Sequence, residues 1–292
     1  MPIPTYCGDG ICRVDGSKHA KDVVPATLGS RLHGLDVLHD RKCDIEPSGH
    51  RGYGLELGYA SSHTAALESV REGSRVPGIG LGAGELAREL RKKDRTVEGA
   101  DQFPPLEPSP LTGFTLWKNP EPLDVDLRHD DCVLLLDFIE HLKEAERFLG
   151  GPWSASRRLE RKPVFIDTTG NVMFWIVRLP ALPGNFNDGR RRILDLTHSR
   201  PYTFSSLRQP FERCGFRVEQ LRGIPAPSPL ALGPGPLDRA LVKISSFLVR
   251  VSRGLFSYQV FVAATPLPAV EALLEDSIAA SAPRAEAARS SP

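Results

Sequence analysis

Two short clusters bring carboxylates and histidine together: Asp137, Glu140 and His141 in Leu135-Leu-Asp-Phe-Ile-Glu-His-Leu, and Asp195 with His198 in Ile193-Leu-Asp-Leu-Thr-His. Histidine titrates nearest neutrality, so either cluster could supply a general base. A third feature is a glycine series, Gly80, Gly82 and Gly84, followed by a helical run through Leu90. Such glycines permit a tight turn and close approach of a ligand, and the helix behind them offers its first N–H groups, a geometry suited to a nucleotide-like ligand. The dinucleotide spacing G-x-G-x-x-G would need glycine where Glu85 stands, which disfavours a nicotinamide cofactor. Asp101 ends the next strand-like segment, Thr96-Val-Glu-Gly-Ala-Asp, at the distance where an acid commonly takes a ribose hydroxyl pair.

These residues need a scaffold, and the pattern around them is that of alternating strands and helices. Val133 to Leu136 is a short continuous apolar run, as in a strand covered on both faces, and it would deliver Asp137, Glu140 and His141 at its carboxyl end, where ligands bind in open α/β sheets. The two carboxylates would also suit the first turn of a helix. Leu142 to Leu149 reads as helical, Pro163-Val-Phe-Ile-Asp as a fifth strand ending in a turn at Thr168-Thr-Gly-Asn, and Ser205 to Cys214 as a helix stopped by Gly215. Arg217-Val-Glu-Gln-Leu and Tyr258-Gln-Val-Phe-Val-Ala read as the last two strands. Ser62 onward, with Ala65, Ala66, Leu67 and Val70, suggests a short helix leading into the core.

From about residue 70 to 268 the chain resembles the class I S-adenosylmethionine-dependent methyltransferases, and most of all the branch related to ubiquinone-biosynthesis methyltransferases, often found beside glycosyltransferases. The resemblance rests on the glycine loop, Asp101, Leu135-Leu-Asp-Phe-Ile-Glu-His-Leu, Ile193-Leu-Asp-Leu-Thr-His and Tyr258-Gln-Val-Phe-Val. It implies a three-layer Rossmann-like α/β fold with a seven-stranded, mostly parallel sheet and an antiparallel terminal strand. It further implies S-adenosylmethionine as cofactor, held by Gly80, Gly82, Gly84, Asp101 and Asp137, with Glu140, His141 and His198 as catalytic candidates. Two positions depart from the family pattern. The acid expected at the end of the first strand is replaced by Gly78, preceded by Pro77, and Phe114-Thr-Leu-Trp-Lys118-Asn lacks the aspartate expected after the third strand. Losing a carboxylate that accepts a charge-assisted hydrogen bond costs roughly 1.5 to 3 kcal/mol, about ten- to a hundredfold in affinity. The reading is therefore O-methylation of a small molecule, glycan precursor or quinone-type ring, with a catalytically impaired binding or scaffolding domain for glycan assembly as the alternative.

Between Val172 and Thr197 lies a long insertion, read either as a lid or acceptor wall or as a core helix followed by a basic loop. As an acceptor wall it offers Trp175, Arg178, Arg192 and Asp195 to the substrate. Leu237 to Leu255 places Leu241, Ile244, Phe247, Leu248, Val251 and Leu255 at helical spacing, with Lys243, Arg250 and Arg253 between them. That is the pattern of a helix packed on the sheet with a basic outer face, and also of one lying on a membrane surface.

Composition bounds the rest. With 25% charged residues and a formal net charge of +1, the chain is ordinary for a globular domain and is not built to coat nucleic acid. No apolar stretch reaches the roughly 18 residues of a membrane span, and the start lacks a signal-peptide pattern. Five cysteines, an odd number, do not make a disulfide framework, so a soluble cytoplasmic protein is expected, with peripheral membrane contact left open. Cys7, Cys12 and Cys43 with His19, His33, His39 and His50 match no ordinary zinc spacing, and no metal is expected. The expected organisation is an irregular extension over 1–66, a methyltransferase-like domain over 67–268, and a tail over 269–292 that starts helically and then becomes Ala/Ser/Pro/Arg-rich.

Overall fold

The five apolar residues Cys132 to Leu136 form a strand that is buried at every position. It is the fourth of seven strands: β1 (Arg75–Ile79), β2 (Thr96–Asp101), β3 (Gly113–Leu116), β4 (Cys132–Leu136), β5 (Val164–Gly170), β6 (Phe216–Ile224) and β7 (Gln259–Pro266). The order across the sheet is β3-β2-β1-β4-β5-β7-β6. All pairings from β3 to β5 are parallel, while β7 runs antiparallel to both β5 and β6. The expected α/β fold, with its mostly parallel seven-stranded sheet and antiparallel last strand, is the observed one. The computed structural model describes residues 6–7, 10–11, 55, 57–82, 84–105, 108–117, 126–184, 193–195, 197–227 and 236–269.

Because side chains alternate along a strand, β4 feeds two apolar layers. Val133 and Leu135 join Leu149, Phe165, Leu207 and Phe211, so that α3 (Ala145–Ser156) and α5 (Phe204–Arg213) cover one face. Cys132, Leu134 and Leu136 join Ala65, Ala66, Leu86, Ala87 and Leu90, so that α1 (Ser62–Ser69) and α2 (Glu85–Arg91) cover the other. Three more helices follow the chain: α4 (Trp175–Ala181), α6 (Pro236–Val251) and α7 (Arg253–Phe256). The chain divides into the units Met1–Arg41 and Lys42–Pro292. In the first, Tyr6–Cys7 pairs antiparallel with Gly10–Ile11. Apart from the backbone of Cys7, the cysteines and histidines weighed for zinc lie outside the described residues. Among the described residues no group of three or more metal-ligating side chains is placed to hold an ion.

Pro77 sits in a central strand without breaking it. The Gly80 N–H donates to Ala100 O on the β2 side, so alternation turns the donor missing at Pro77 toward β4. On that side a single pair, Gly78 with Leu134, makes the register, whereas β1 and β2 pair over five residues.

Three expectations shift. Thr168-Thr-Gly, expected to turn, continues β5 because all three residues pair with β7. The helix expected from Leu142 starts at Ala145, after a 3₁₀ turn over Ile139–His141. The run from Leu237 to Leu255 is two helices, broken at Ser252. Gly215 does end α5, at φ +82, and a Cβ there would lie 2.6 Å from Trp153 Nε1. Gly215→Ala combines a left-handed conformation with that clash and is expected to lower unfolding free energy by about 1–3 kcal/mol, read from urea denaturation midpoints.

Candidate active site

The carboxyl ends of β1, β2, β4 and β5 bring the candidate residues to one edge. Gly80, Gly82 and Gly84 all take positive φ (+72, +56 and +76), the conformation for which glycine is the low-cost residue. The loop they form is tied to β2, since Asp101 Oδ2 accepts from the Gly82 N–H at 3.3 Å while Oδ1 accepts from the Phe103 N–H at 3.2 Å. Each carboxylate oxygen has further acceptor capacity, so this bracing is compatible with a ribose hydroxyl pair. A Cβ at Gly82 would meet nothing within 4 Å, leaving open space over the middle of the loop.

The side chains around that space are specific. A Cβ on Gly80 would lie 2.9 Å from the Phe138 ring, and one on Gly84 would lie 3.0 Å from Pro110. Phe138 belongs to an aromatic trio with Trp117 and Phe148, with centroids 5.2 to 5.9 Å apart. At Gly78, where the family resemblance anticipates a carboxylate, a Cβ would fall 2.3 Å from Leu81 Cδ1 and 2.5 Å from its Cγ. Leu81 therefore fills the volume that the absent acid would need. A side chain at 78 would require Leu81 to shift.

Asp137 follows β4 at φ +49, an uncommon conformation that aspartate tolerates better than most residues. Its N–H donates to Thr168 O at 2.8 Å, and its Oδ1 accepts from Gln259 Nε2 at 2.8 Å. The turn that follows is thereby fastened to β5 and β7. Glu140, in that turn, is buried, and its carbonyl accepts from the N–H groups of Ser199 and Arg200 at 2.8 and 3.2 Å. This contact joins the segment of His141 to that of His198.

The two imidazoles lie with centroids 4.9 Å apart, edge to face. His141 Nδ1 is 3.2 Å from Thr197 O, and His198 Nδ1 is 3.1 Å from Ile193 O. A carbonyl only accepts, so each Nδ1 carries the hydrogen, which makes Nε2 the basic nitrogen of each neutral ring. Asp195 supports this arrangement, its Oδ1 accepting from both the N–H and the hydroxyl of Thr197, at 2.8 and 2.7 Å. Ile193 packs over Gly170 at the end of β5, where a Cβ would meet it at 3.4 Å, an ordinary contact distance.

Of the other anticipated residues, Trp175 and Arg178 lie on α4, a helix with no buried residue. A core helix in this insertion is thus not what forms. Arg192 and Lys118 lie outside the described residues. Leu81, Phe138, Gln259 and Asp167 were not singled out from sequence. Phe138 lies within Leu135-Leu-Asp-Phe-Ile-Glu-His-Leu, whereas Asp167 has the sequence pattern of an ordinary strand end. A separate cleft, lined by Tyr59, Thr64, Glu68, Arg222 and Gly223, contains none of the candidate residues.

Asp167 is fully buried, and neither of its carboxyl oxygens meets a hydrogen-bond partner among the described residues; Glu140 Oε2 is likewise without one. Burial, then the charge of Glu140, pushes the Asp167 carboxyl well above its ordinary value of 3.8, and burial followed by Asp137 does the same for Glu140. Both stay protonated in the folded chain at a pH where the unfolded chain has ionised.

No protein-family model matches the chain, and no curated protein does. Solved structures do resemble it. The 1,6-didemethyltoxoflavin-N1-methyltransferase of Burkholderia thailandensis, with bound S-adenosylhomocysteine, is 13% identical with TM-score 0.44, over 70% of this chain and 76% of that one. The magnesium protoporphyrin IX methyltransferase of Synechocystis, also with bound S-adenosylhomocysteine, is 15% identical with TM-score 0.43, over 70% and 84%. A SAM-dependent methyltransferase of Aquifex aeolicus is 14% identical with TM-score 0.41, over 71% and 90%. Likeness at this level assigns this chain neither a family nor an activity.

The buried carboxyls generate a pH prediction. As pH rises past the ordinary carboxylate range the unfolded chain loses these protons first, so stability is greatest on the acid side and falls as pH rises toward the elevated folded values. Asp167→Asn removes one such titration. It should raise the melting temperature more at about pH 8 than at about pH 5, and thermal melts at both pH values check this.

Proposed function

We propose that this chain is an S-adenosylmethionine-dependent methyltransferase acting on an oxygen of a small molecule, such as a sugar, glycan precursor or quinone-like ring. The observation carrying this reading is the 4.9 Å apposition of His141 and His198 at the edge where the glycine loop ends β1. The turn that bears His141 also bears Phe138, which covers Gly80. The residues present fit the cofactor: three left-handed glycines with open space over Gly82 suit its methionine end, and a braced Asp101 suits its ribose. Gly80, Gly82, Gly84, Asp101 and Asp137 would hold it.

When bound, the cofactor supplies a methyl group already activated by the sulfonium. What remains for the protein is to orient the acceptor, exclude water and take a proton. The Nε2 of His141 or His198 takes that proton, because its Nδ1–H is committed to a backbone carbonyl. Glu140 positions the pair through its carbonyl, and Asp195 does so through Thr197. The exposed α4, with Trp175 and Arg178, and Asp195 at the end of the insertion would supply the acceptor wall.

A second reading, a catalytically impaired methyltransferase-like binding or scaffolding domain, is favoured by Leu81 standing where the carboxylate for the cofactor's ammonium would be. Calorimetry separates the two. Gly78→Asp alone is expected to weaken binding or destabilise the chain, because its Cβ collides with Leu81. Gly78→Asp combined with Leu81→Ala is expected to tighten cofactor binding by about ten- to a hundredfold. Tight wild-type binding supports the enzyme, and feeble binding rescued by the pair supports the impaired domain. With an acceptor in hand, His141→Ala or His198→Ala should lower turnover about 10²- to 10⁴-fold while cofactor affinity holds. Full activity in both would remove the histidines from the chemistry.

A further inference from the structure

The helix between the last two strands, α6, carries a broad apolar stripe of which one side is half-buried and the other exposed. Leu241, Val242, Leu248 and Val249 are half-buried, and Val249 Cγ1 lies 3.1 Å from where a Cβ of Gly223 on β6 would stand. Ile244, Phe247 and Val251, farther round the helix, are 53%, 63% and 64% exposed. Their spacing of three, four and seven puts them on one stripe, and Lys243 and Arg250 lie beside it at the same helical spacing. Both cations are exposed, and neither meets a carboxylate among the described residues. From Ala240 to Val251 the helix has no acidic residue.

A helix packed only as a cover for the sheet would turn Phe247 inward and keep charge outside. Here the outward face is apolar in its centre and cationic along one side. An aqueous surface gains nothing from Phe247, and a neutral protein partner gives no reason for uncompensated Lys243 and Arg250. A bilayer with anionic headgroups satisfies both, taking the apolar stripe to the headgroup boundary and neutralising the cations. Among the described residues, exposed large apolar side chains also gather at α4 and its flanks, at Met173, Trp175, Ile176, Leu179 and Leu182. The two regions are tied together where Asn171 Nδ2 donates to Gly254 O and Ser257 O, at 2.9 and 2.8 Å.

We infer that the outer face of α6, centred on Ile244, Phe247 and Val251 and flanked by Lys243 and Arg250, docks the protein reversibly on an anionic phospholipid bilayer. This rests on α6 alone and does not require the methyl-transfer reading. No described helix is long and apolar enough to cross a membrane, so the contact is peripheral.

The test is sedimentation of the full chain with vesicles of phosphatidylcholine, alone or mixed with phosphatidylglycerol, at low and high salt. The wild type should bind the mixed vesicles, bind phosphatidylcholine alone far less, and release as salt rises. Lys243→Gln with Arg250→Gln should weaken binding to mixed vesicles about thirtyfold, from about fivefold per cation. Ile244→Ser with Phe247→Ser should weaken binding to both compositions at least tenfold. These side chains are exposed, so unchanged melting temperatures are expected and confirm that the variants fold. A wild type that stays in the supernatant, or variants that bind as it does, overturns the proposal. So does a wild-type dimer in solution that the Phe247→Ser variant turns into monomer, which would make this face a contact between copies.

Discussion

Apolar cover on both faces of the sheet leaves its central strands almost nowhere to put polar groups except their ends. Along β4, Val133 and Leu135 enter one layer while Cys132, Leu134 and Leu136 enter the other. A charged side chain at any of these five positions would lose its hydration without a partner. Asp137, Glu140, His141 and the glycine loop are therefore gathered at the carboxyl edge by the requirements of the core, before any question of chemistry arises. The cost of breaking this rule is visible one strand away, where Asp167 is buried without a partner among the described residues and keeps its proton well above the usual carboxylate range.

The loop at the head of the site is held by its own neighbours. Asp101 braces Gly82, Phe138 closes over Gly80, Pro110 closes over Gly84, and Leu81 occupies the space beside Gly78. Such a loop is preorganised: Gly80 and Gly84 are held by a neighbouring side chain as well as by their φ, Gly82 by its φ, and Gly78 by Leu81. The same packing narrows what the loop can accept at its amino-acid end. Leu81 makes the departure at Gly78 a coupled change of two residues rather than a single loss, since a side chain restored there has to displace the leucine.

Backbone carbonyls, not carboxylates, orient the two imidazoles. Thr197 O and Ile193 O fix the tautomer of His141 and His198, and Glu140 contributes through its carbonyl. A neutral anchor holds ring orientation without adding a charge to stabilise the imidazolium. The carboxyls near this edge are either buried and protonated or, like Asp137 and Asp195, engaged by hydrogen bonds. Electrostatics at the candidate site is thus governed by dipoles and burial.

Elements whose signal is local are legible in the amino-acid order alone. The strand from Thr96 to Asp101 has the bounds expected for it, the apolar run of Val133 to Leu136 is a buried strand, and Gly215 stops α5. The glycine spacing and the two histidine clusters were legible because residue type and interval are all that such patterns need. Tertiary structure decided what depends on partners far along the chain. Thr168-Thr-Gly looks like a turn in isolation, yet β7, some ninety residues later, supplies the hydrogen bonds that keep it extended. No local pattern reveals that Leu81 fills the space at Gly78 or that His141 meets His198, because both are set by how loops pack after the sheet has formed. The exposure of α6 is likewise open in the sequence, since a helical stripe is the same whether it covers a core or faces away, and packing against β6 leaves only some of its apolar residues half-buried.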